Sequence, residues 1–130
     1  MSCPMSQFIE RHARLFREGR IEEMLDDCDY PLPVQGMSGI SVLATRETYR
    51  SWLLSWQRDL GALRMQESEL RVHTLELPRK GRFRVWIERS FESACGAERI
   101  EINVIYYCRF DAPRPVIEMI EFGAPPEPDG

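Results

Sequence analysis

Lysine is almost missing from this chain, histidine is scarce, and no Cys-x-x-Cys pair occurs. The 130 residues include one lysine, Lys80, and two histidines, and the net charge is −4. The arginines are scattered without a basic block, so the sequence does not indicate a nucleic-acid-binding surface. The sequence also has no cluster of metal ligands and no glycine-rich phosphate cradle. We therefore expect no metal and no cofactor.

Long apolar runs are missing as well. The opening stretch MSCPMSQFIERHARLFREG carries a charge by residue 10, so it does not resemble a signal peptide. No stretch approaches the roughly 18 apolar residues that a membrane span needs. We therefore expect a cytoplasmic protein that does not bind membranes and keeps its four cysteines reduced.

Three stretches have the apolar spacing of helices. The first covers residues 4–18, and Gly19 is placed to end it in a left-handed conformation. A short second helix runs into Tyr30-Pro31-Leu32-Pro33, where the prolines predict an edge strand or an extended entry to one. Thr45 is placed to cap a third, longer helix.

Three carboxylates, Asp26, Asp27 and Asp29, crowd the end of the short helix. They could be catalytic acids at a pocket or simply a helix stop. Negative charge at a helix C-terminus opposes the helix dipole. We interpret the cluster as a helix stop, which the two prolines complete.

After residue 65 the apolar period changes to two, which predicts four consecutive strands joined by short turns. Short turns indicate an antiparallel meander. The predicted fold is α+β, with three N-terminal helices covering one face of the sheet. Residues 1–123 form a single domain in this prediction, and residues 124–130 form a flexible tail rich in proline and glycine.

This order of elements resembles the nuclear-transport-factor-2-like superfamily, which includes ketosteroid isomerases and SnoaL-like polyketide cyclases. The opening RHARLFREGRIEEML and the closing hairpin YYCRFDAPRPVIEMIEFG carry the resemblance. It implies a cone-shaped, curved antiparallel sheet packed against the helices, with a pocket between the sheet and the helices. Function does not follow from this fold, because it hosts many unrelated roles.

The resemblance also implies positions for polar groups in the pocket. The place of the isomerases' helix-1 tyrosine falls on His12, and that of their strand aspartic acid falls on Tyr106. Both side chains can donate a hydrogen bond. The place of the general base falls on Gly36 or Leu32, neither of which can take a proton. Isomerase chemistry is therefore not expected.

Further pocket candidates come from the residue patterns. Tyr49, Trp52 and Trp56 form an aromatic stripe on the third helix, which would either pack as core or wall a cavity. Glu118 lies in a predicted strand whose two faces are both apolar, so either face could point into the core. Glu118 is therefore the remaining candidate for a pocket carboxylate. His12 and Tyr106 could equally be core residues with buried partners.

The opposite face of the sheet has its own aromatic residues. Trp86, Ile105 and Tyr107 fall on strand positions away from the inferred core. Exposed together, they would form a larger apolar patch than a monomer tolerates. We therefore predict a homodimer that forms through these residues.

Three functions remain open at this point. The chain could bind a small apolar, carbonyl-type molecule in the cone pocket. It could be a non-catalytic dimerisation or protein-interaction module with a filled interior. It could also be a cyclase or isomerase, in which case His12 is the only obvious candidate for proton transfer near neutral pH.

Overall fold

The chain folds into three helices and six strands within the part that the computed structural model describes, residues 4–36, 38–111 and 114–123. The helices are α1 (Pro4–Arg17), α2 (Ile21–Asp26) and α3 (Arg46–Ala62). The strands are β1 (Leu32–Gly36), β2 (Gly39–Leu43), β3 (Met65–Leu75), β4 (Arg82–Ser93), β5 (Arg99–Asp111) and β6 (Arg114–Phe122). The tail at 124–130 lies outside the described residues.

Both predicted helix boundaries are confirmed, and each has a local cause. Gly19 adopts a φ of +73°, and the Arg20 N–H donates to the Leu15 carbonyl at 2.9 Å. This is the Schellman end that a glycine after the last turn permits. At the start of α3, the Thr45 hydroxyl accepts a hydrogen bond from the Thr48 N–H at 3.3 Å. The cap satisfies one of the N–H groups that the first helical turn leaves free.

The sheet is mixed, which corrects the prediction of a purely antiparallel sheet. Its strand order is β2-β1-β6-β5-β4-β3, and it does not close. Strands β3 to β6 form the predicted antiparallel meander. Strand β1 pairs with β6 in parallel, through Val34 with Ile120 and Gln35 with Glu121. The connection from β1 to β6 contains one helix and four strands, so reasoning from short turns could not predict this pairing.

The segment after Pro31 is not an edge strand, which is a second correction. Strand β1 lies between β6 and β2, and β2 occupies the edge. The β1–β2 hairpin closes where Gly36 faces Gly39, whose φ of +115° suits a residue without a Cβ. Strand β2 was missed because its five residues are mostly exposed and show no alternation in burial.

The three helices cover one face of the sheet, here called the inner face, so the predicted α+β architecture is confirmed. Inner-face side chains from the central strands join one core with α1, α2 and α3. They include Phe83, Val85 and Ile87 of β4 and Val104, Tyr106 and Cys108 of β5. The cross-strand pair of Trp86 and Ile105 lies on the other side, here called the outer face. The strand parity read from the sequence is correct for β4 and β5.

Candidate functional site

A narrow cavity, here called the aromatic slot, lies between α3 and the inner face of the sheet. Its volume is about 40 Å³. The residues that matter for its chemistry are Tyr49, Trp52 and Trp56 of α3, Arg89 of β4, Tyr106 of β5 and Phe122 of β6. The structure thus brings four of the six predicted pocket residues together. Whether they bind a ligand stays a prediction.

Aromatic rings form the walls of the slot. The Trp52 ring lies 5.9 Å from Tyr49 and 5.7 Å from Phe122, measured between ring centroids. Trp56 and Phe122 lie 6.3 Å apart with their planes only 11° from parallel. These separations are those of ordinary aromatic packing. A volume of about 40 Å³ accommodates a few water molecules. A larger guest therefore requires the half-buried Trp52 and Trp56 side chains to move.

Two phenol groups supply polarity inside this apolar slot. Tyr49 and Tyr106 are 1% and 4% exposed, and neither hydroxyl bonds to any of the residues that the structure describes. Burial raises the pKa of Tyr106 to about 12 and that of Tyr49 well above its usual 10. Both phenols are therefore neutral hydrogen-bond donors at neutral pH.

The raised pKa of Tyr106 makes stability fall at alkaline pH. The unfolded tyrosine ionises near pH 10, whereas the folded one holds its proton to about pH 12. Above pH 10 the native state therefore binds more protons, and its free energy of unfolding falls as pH rises. From pH 9 to 12 we expect wild type to lose about 2–3 kcal/mol more than Tyr106→Phe. Urea titrations along this range measure the difference, and parallel curves would contradict it.

A buried ion pair at the mouth of the slot joins Arg89 to Glu67. Arg89 Nε donates to Glu67 Oε2 at 2.6 Å, and Nη2 donates to the Ala13 carbonyl at 3.0 Å. The guanidinium carbon lies 5.2 Å from the Phe16 ring and 5.6 Å from the Phe91 ring. The two ionic side chains are only 8% and 2% exposed. Arg89 is thus a fixed positive charge beside an apolar cavity.

Strand parity in the sequence gives a signal for Arg89. Arg89 has the same strand parity as Phe83, Val85 and Ile87, which predicts the inner face. Its partner Glu67 precedes a register shift in β3, between Glu67 and Glu69. The alternation of side chains along the strand is interrupted there, so it does not predict which face of the sheet Glu67 occupies. An arginine at a core-facing strand position is therefore a site candidate.

His12 does not line the slot, which corrects its prediction as a pocket residue. It is fully buried, and its Nδ1 lies 2.8 Å from Oδ2 of Asp27. The ring meets Tyr106 edge-on at 5.4 Å between centroids. Its Nε2 has no hydrogen-bond partner among the described residues. His12 therefore supports Tyr106 from within the core and does not reach the cavity.

Asp27 is a second buried charged residue that the sequence interpretation missed. It is 0% exposed, whereas the helix-stop interpretation treated the whole Asp26–Asp29 cluster alike. Besides His12, it pairs with Arg114 at 3.2 Å and Arg11 at 3.6 Å. The signal was its spacing, because residue 27 lies three positions after Met24, which is buried on α2.

Glu118 lies outside the slot, so its prediction as a pocket carboxylate is wrong. Its carboxylate pairs with Arg82 at 2.8 Å and with Arg109 at 3.3 Å. These arginines face each other across β4 and β5 on the outer face. A register shift between Tyr107 and Cys108 changes how β6 pairs with β5 next to Glu118. This shift is why parity in VIEMIEF was undecidable.

The outer-face residues occupy the predicted side of the sheet but do not form an exposed patch. Trp86 and Ile105 are each 5% exposed in the single chain, and Tyr107 is half-buried. The Arg84 guanidinium lies 4.8 Å above the Trp86 ring and 6.0 Å from that of Tyr107. Long charged side chains can cover apolar surface in this way. The homodimer stays a prediction, but its original reason is removed.

Two further observations concern metals and membranes. Among the described residues, no three carboxylate, histidine or cysteine side chains converge as metal ligands would. None of the described helices combines the length and the apolar character needed to cross a bilayer.

Comparison by sequence gives no relative. No protein-family model matches this chain, and no curated protein sequence matches it.

Comparison by structure gives many similar proteins. One is a nuclear-transport-factor-2-like protein of unknown function from Shewanella oneidensis, 7% identical, with a TM-score of 0.66 over 92% of this chain and 95% of the other. Another is the β subunit of benzoate 1,2-dioxygenase from Burkholderia mallei, 11% identical, with a TM-score of 0.67 over 94% and 91%. A third, from Catenulispora acidiphila in complex with S-DNPA, is 13% identical, with a TM-score of 0.70 over 92% and 90%.

These similarities identify the architecture of the chain. It has the nuclear-transport-factor-2-like fold, an open cone of sheet and helices, as the sequence resemblance implied. The similar structures include an enzyme subunit and proteins of unknown function. At this level of identity the likeness extends to the fold and not to an activity.

Proposed function

We propose that this chain binds a small apolar molecule with a carbonyl or similar acceptor in the aromatic slot. The supporting observation is that Tyr49 and Tyr106 line the slot, with hydroxyls for which the described residues provide no acceptor. Hydroxyl donors without a protein acceptor are available to an acceptor atom of a ligand. Apolar walls with a few convergent donors are the usual composition of a small-molecule site.

The size of the slot restricts the ligand. At about 40 Å³ it is far below the several hundred Å³ of a drug-sized site. A single ring or a slender chain can enter when the Trp52 and Trp56 side chains move, whereas a fused-ring steroid would need a far larger cavity. Stacking on Trp56 and Phe122 would add to the burial of apolar surface.

Catalysis is not part of this proposal. No carboxylate and no histidine of the described residues lines the slot. The two phenols hold their protons at neutral pH because burial raises their pKa values. Such groups can polarise a carbonyl, but they do not accept a proton from carbon.

The small volume supports one alternative, a non-catalytic interaction module whose interior is filled by side chains. In that case the two hydroxyls bond to water, for which the slot has room. The homodimer would then be the functional unit, formed through the outer face. This alternative needs a dimer in solution and no ligand.

A binding experiment with 4-phenyl-2-butanone separates the two proposals. We expect saturable quenching of tryptophan fluorescence, because Trp52 and Trp56 line the slot. Tyr106→Phe should weaken binding about three- to tenfold, the effect of losing one hydrogen bond. Leu54→Ala is the control, since Leu54 is exposed on the same helix. Absence of saturable quenching by this and related single-ring carbonyl compounds would favour the module.

A further inference from the structure

A larger open groove continues outward from the aromatic slot. It has a volume of about 460 Å³ and runs between the ends of α1 and α3 and the start of β3. This outer groove shares Phe16, Arg89 and Phe91 with the slot. The two spaces therefore meet at Arg89, and together they offer the length that the slot alone lacks.

Arg89 is held in place at this junction but is not fully used. Its Nε and Nη2 donate to Glu67 and to the Ala13 carbonyl, and its guanidinium carbon lies 5.2 Å from the Phe16 ring and 5.6 Å from the Phe91 ring. Its Nη1 donates no hydrogen bond to the residues that the structure describes. An arginine fixed in this way loses little conformational freedom when it binds a further anion.

The charged side chains at the junction carry more positive than negative charge, which favours the binding of an anion. Arg17 lines the outer groove, and its Nη1 lies 3.7 Å from Glu67 Oε1. Two positive charges therefore face one carboxylate, and the other residues lining the groove carry no charge. Arg17 is half exposed, so it can turn toward a bound group. The two guanidinium groups and the Glu67 carboxylate together carry a net charge of +1, which favours a carboxylate over a neutral group.

We infer that the ligand is an organic acid. Its apolar part, with the acceptor that the two phenols require, lies in the slot, and its carboxylate lies at the Arg89–Arg17 junction. Any remaining part of the molecule lies in the outer groove. This assignment rests on the proposed slot-binding function and adds the chemical class of the ligand. Specificity comes from the junction, because apart from Arg89 the donors that line the slot are the neutral phenols of Tyr49 and Tyr106.

The test compares 4-phenylbutyrate with its neutral counterpart, 4-phenylbutanamide, by calorimetry at low ionic strength. We expect the acid to bind about tenfold more tightly than the amide. Arg17→Gln should reduce the preference for the acid over the amide several-fold. Added salt should also reduce this preference, because Arg17 is exposed. The double variant Arg89→Gln/Glu67→Gln should abolish it without leaving a buried charge alone.

A matched control is Arg58→Gln, which removes an exposed arginine of α3 that does not line either space. Equal loss of preference in Arg58→Gln and Arg17→Gln would mean general surface charge and would overturn the inference. If wild type binds acid and amide equally, the inference fails while the proposed function stands. If neither probe binds but 4-phenyl-2-butanone does, only the inference fails, and if none of the three compounds binds, both fail.

Discussion

Replacing Asp27 by alanine is expected to lower the free energy of unfolding by about 3 kcal/mol or more. The Asp27 carboxylate is completely buried and accepts from His12 Nδ1 at 2.8 Å. Without it, a fully buried imidazole N–H has no partner, which alone costs about 1–3 kcal/mol. Arg114 and Arg11 also lose their shared carboxylate. Urea unfolding at pH 7 measures the loss.

The neighbouring Asp26 provides the matched control. Its side chain is 54% exposed and pairs with Arg46 at 2.7 Å. An exposed pair contributes about 1 kcal/mol or less, so Asp26→Ala should have a small effect. The two substitutions remove the same group from adjacent positions and differ in burial. Similar losses at the two positions would show that the contacts of Asp27 add no stability.

The same variant tests how the core holds the slot. His12 lies between Asp27 and the Tyr106 ring, so Asp27 fixes the residue against which Tyr106 packs. Asp27 also anchors backbone, since the Ile117 N–H donates to its carbonyl at 2.8 Å. Substitution of the side chain leaves that hydrogen bond in place. The effect is therefore assigned to the carboxylate.

The sequence predicted the parts of the fold that have local causes. Gly19 and Thr45 mark helix boundaries through backbone geometry and capping, which depend on a few neighbouring residues. Strand parity in β4 and β5 follows from burial on one face. The parallel pairing of Val34 with Ile120 joins positions far apart in the chain. No local pattern encodes such a contact, so the mixed sheet could not be predicted.

For the site, the aromatic residues were predictable and the ionic residues were not. Tyr49, Trp52 and Trp56 follow helical spacing, and that spacing places them in the slot. Asp27 and Arg89 also obey the apolar pattern of their elements, but charged residues are normally assigned to the surface. Their burial depends on partners elsewhere in the chain, His12 and Glu67. Charged residues at core-facing positions are therefore the most informative exceptions in this sequence.

Arg89→Met is expected to cost about 3–5 kcal/mol, because it leaves the Glu67 carboxylate buried and without its main partner. Arg17 offers only a distant contact, at 3.7 Å. The outer-face pair Arg71–Glu88 is the control, since Arg71 is 60% exposed. Arg71→Met should change the free energy of unfolding by about 1 kcal/mol or less. Chemical denaturation measures both variants.

The double variant Arg89→Met/Glu67→Met separates the two causes of that loss. If most of it comes from the stranded Glu67 charge, removing the charge as well should restore stability to within about 1–2 kcal/mol of wild type, since apolar replacements of buried pairs are often neutral. If it comes from lost packing of the guanidinium against Phe16 and Phe91, the double variant should be no more stable than Arg89→Met. Recovery would mean that folding does not require the pair. A buried arginine that folding does not require, placed where two cavities meet, is better explained by a ligand than by stability.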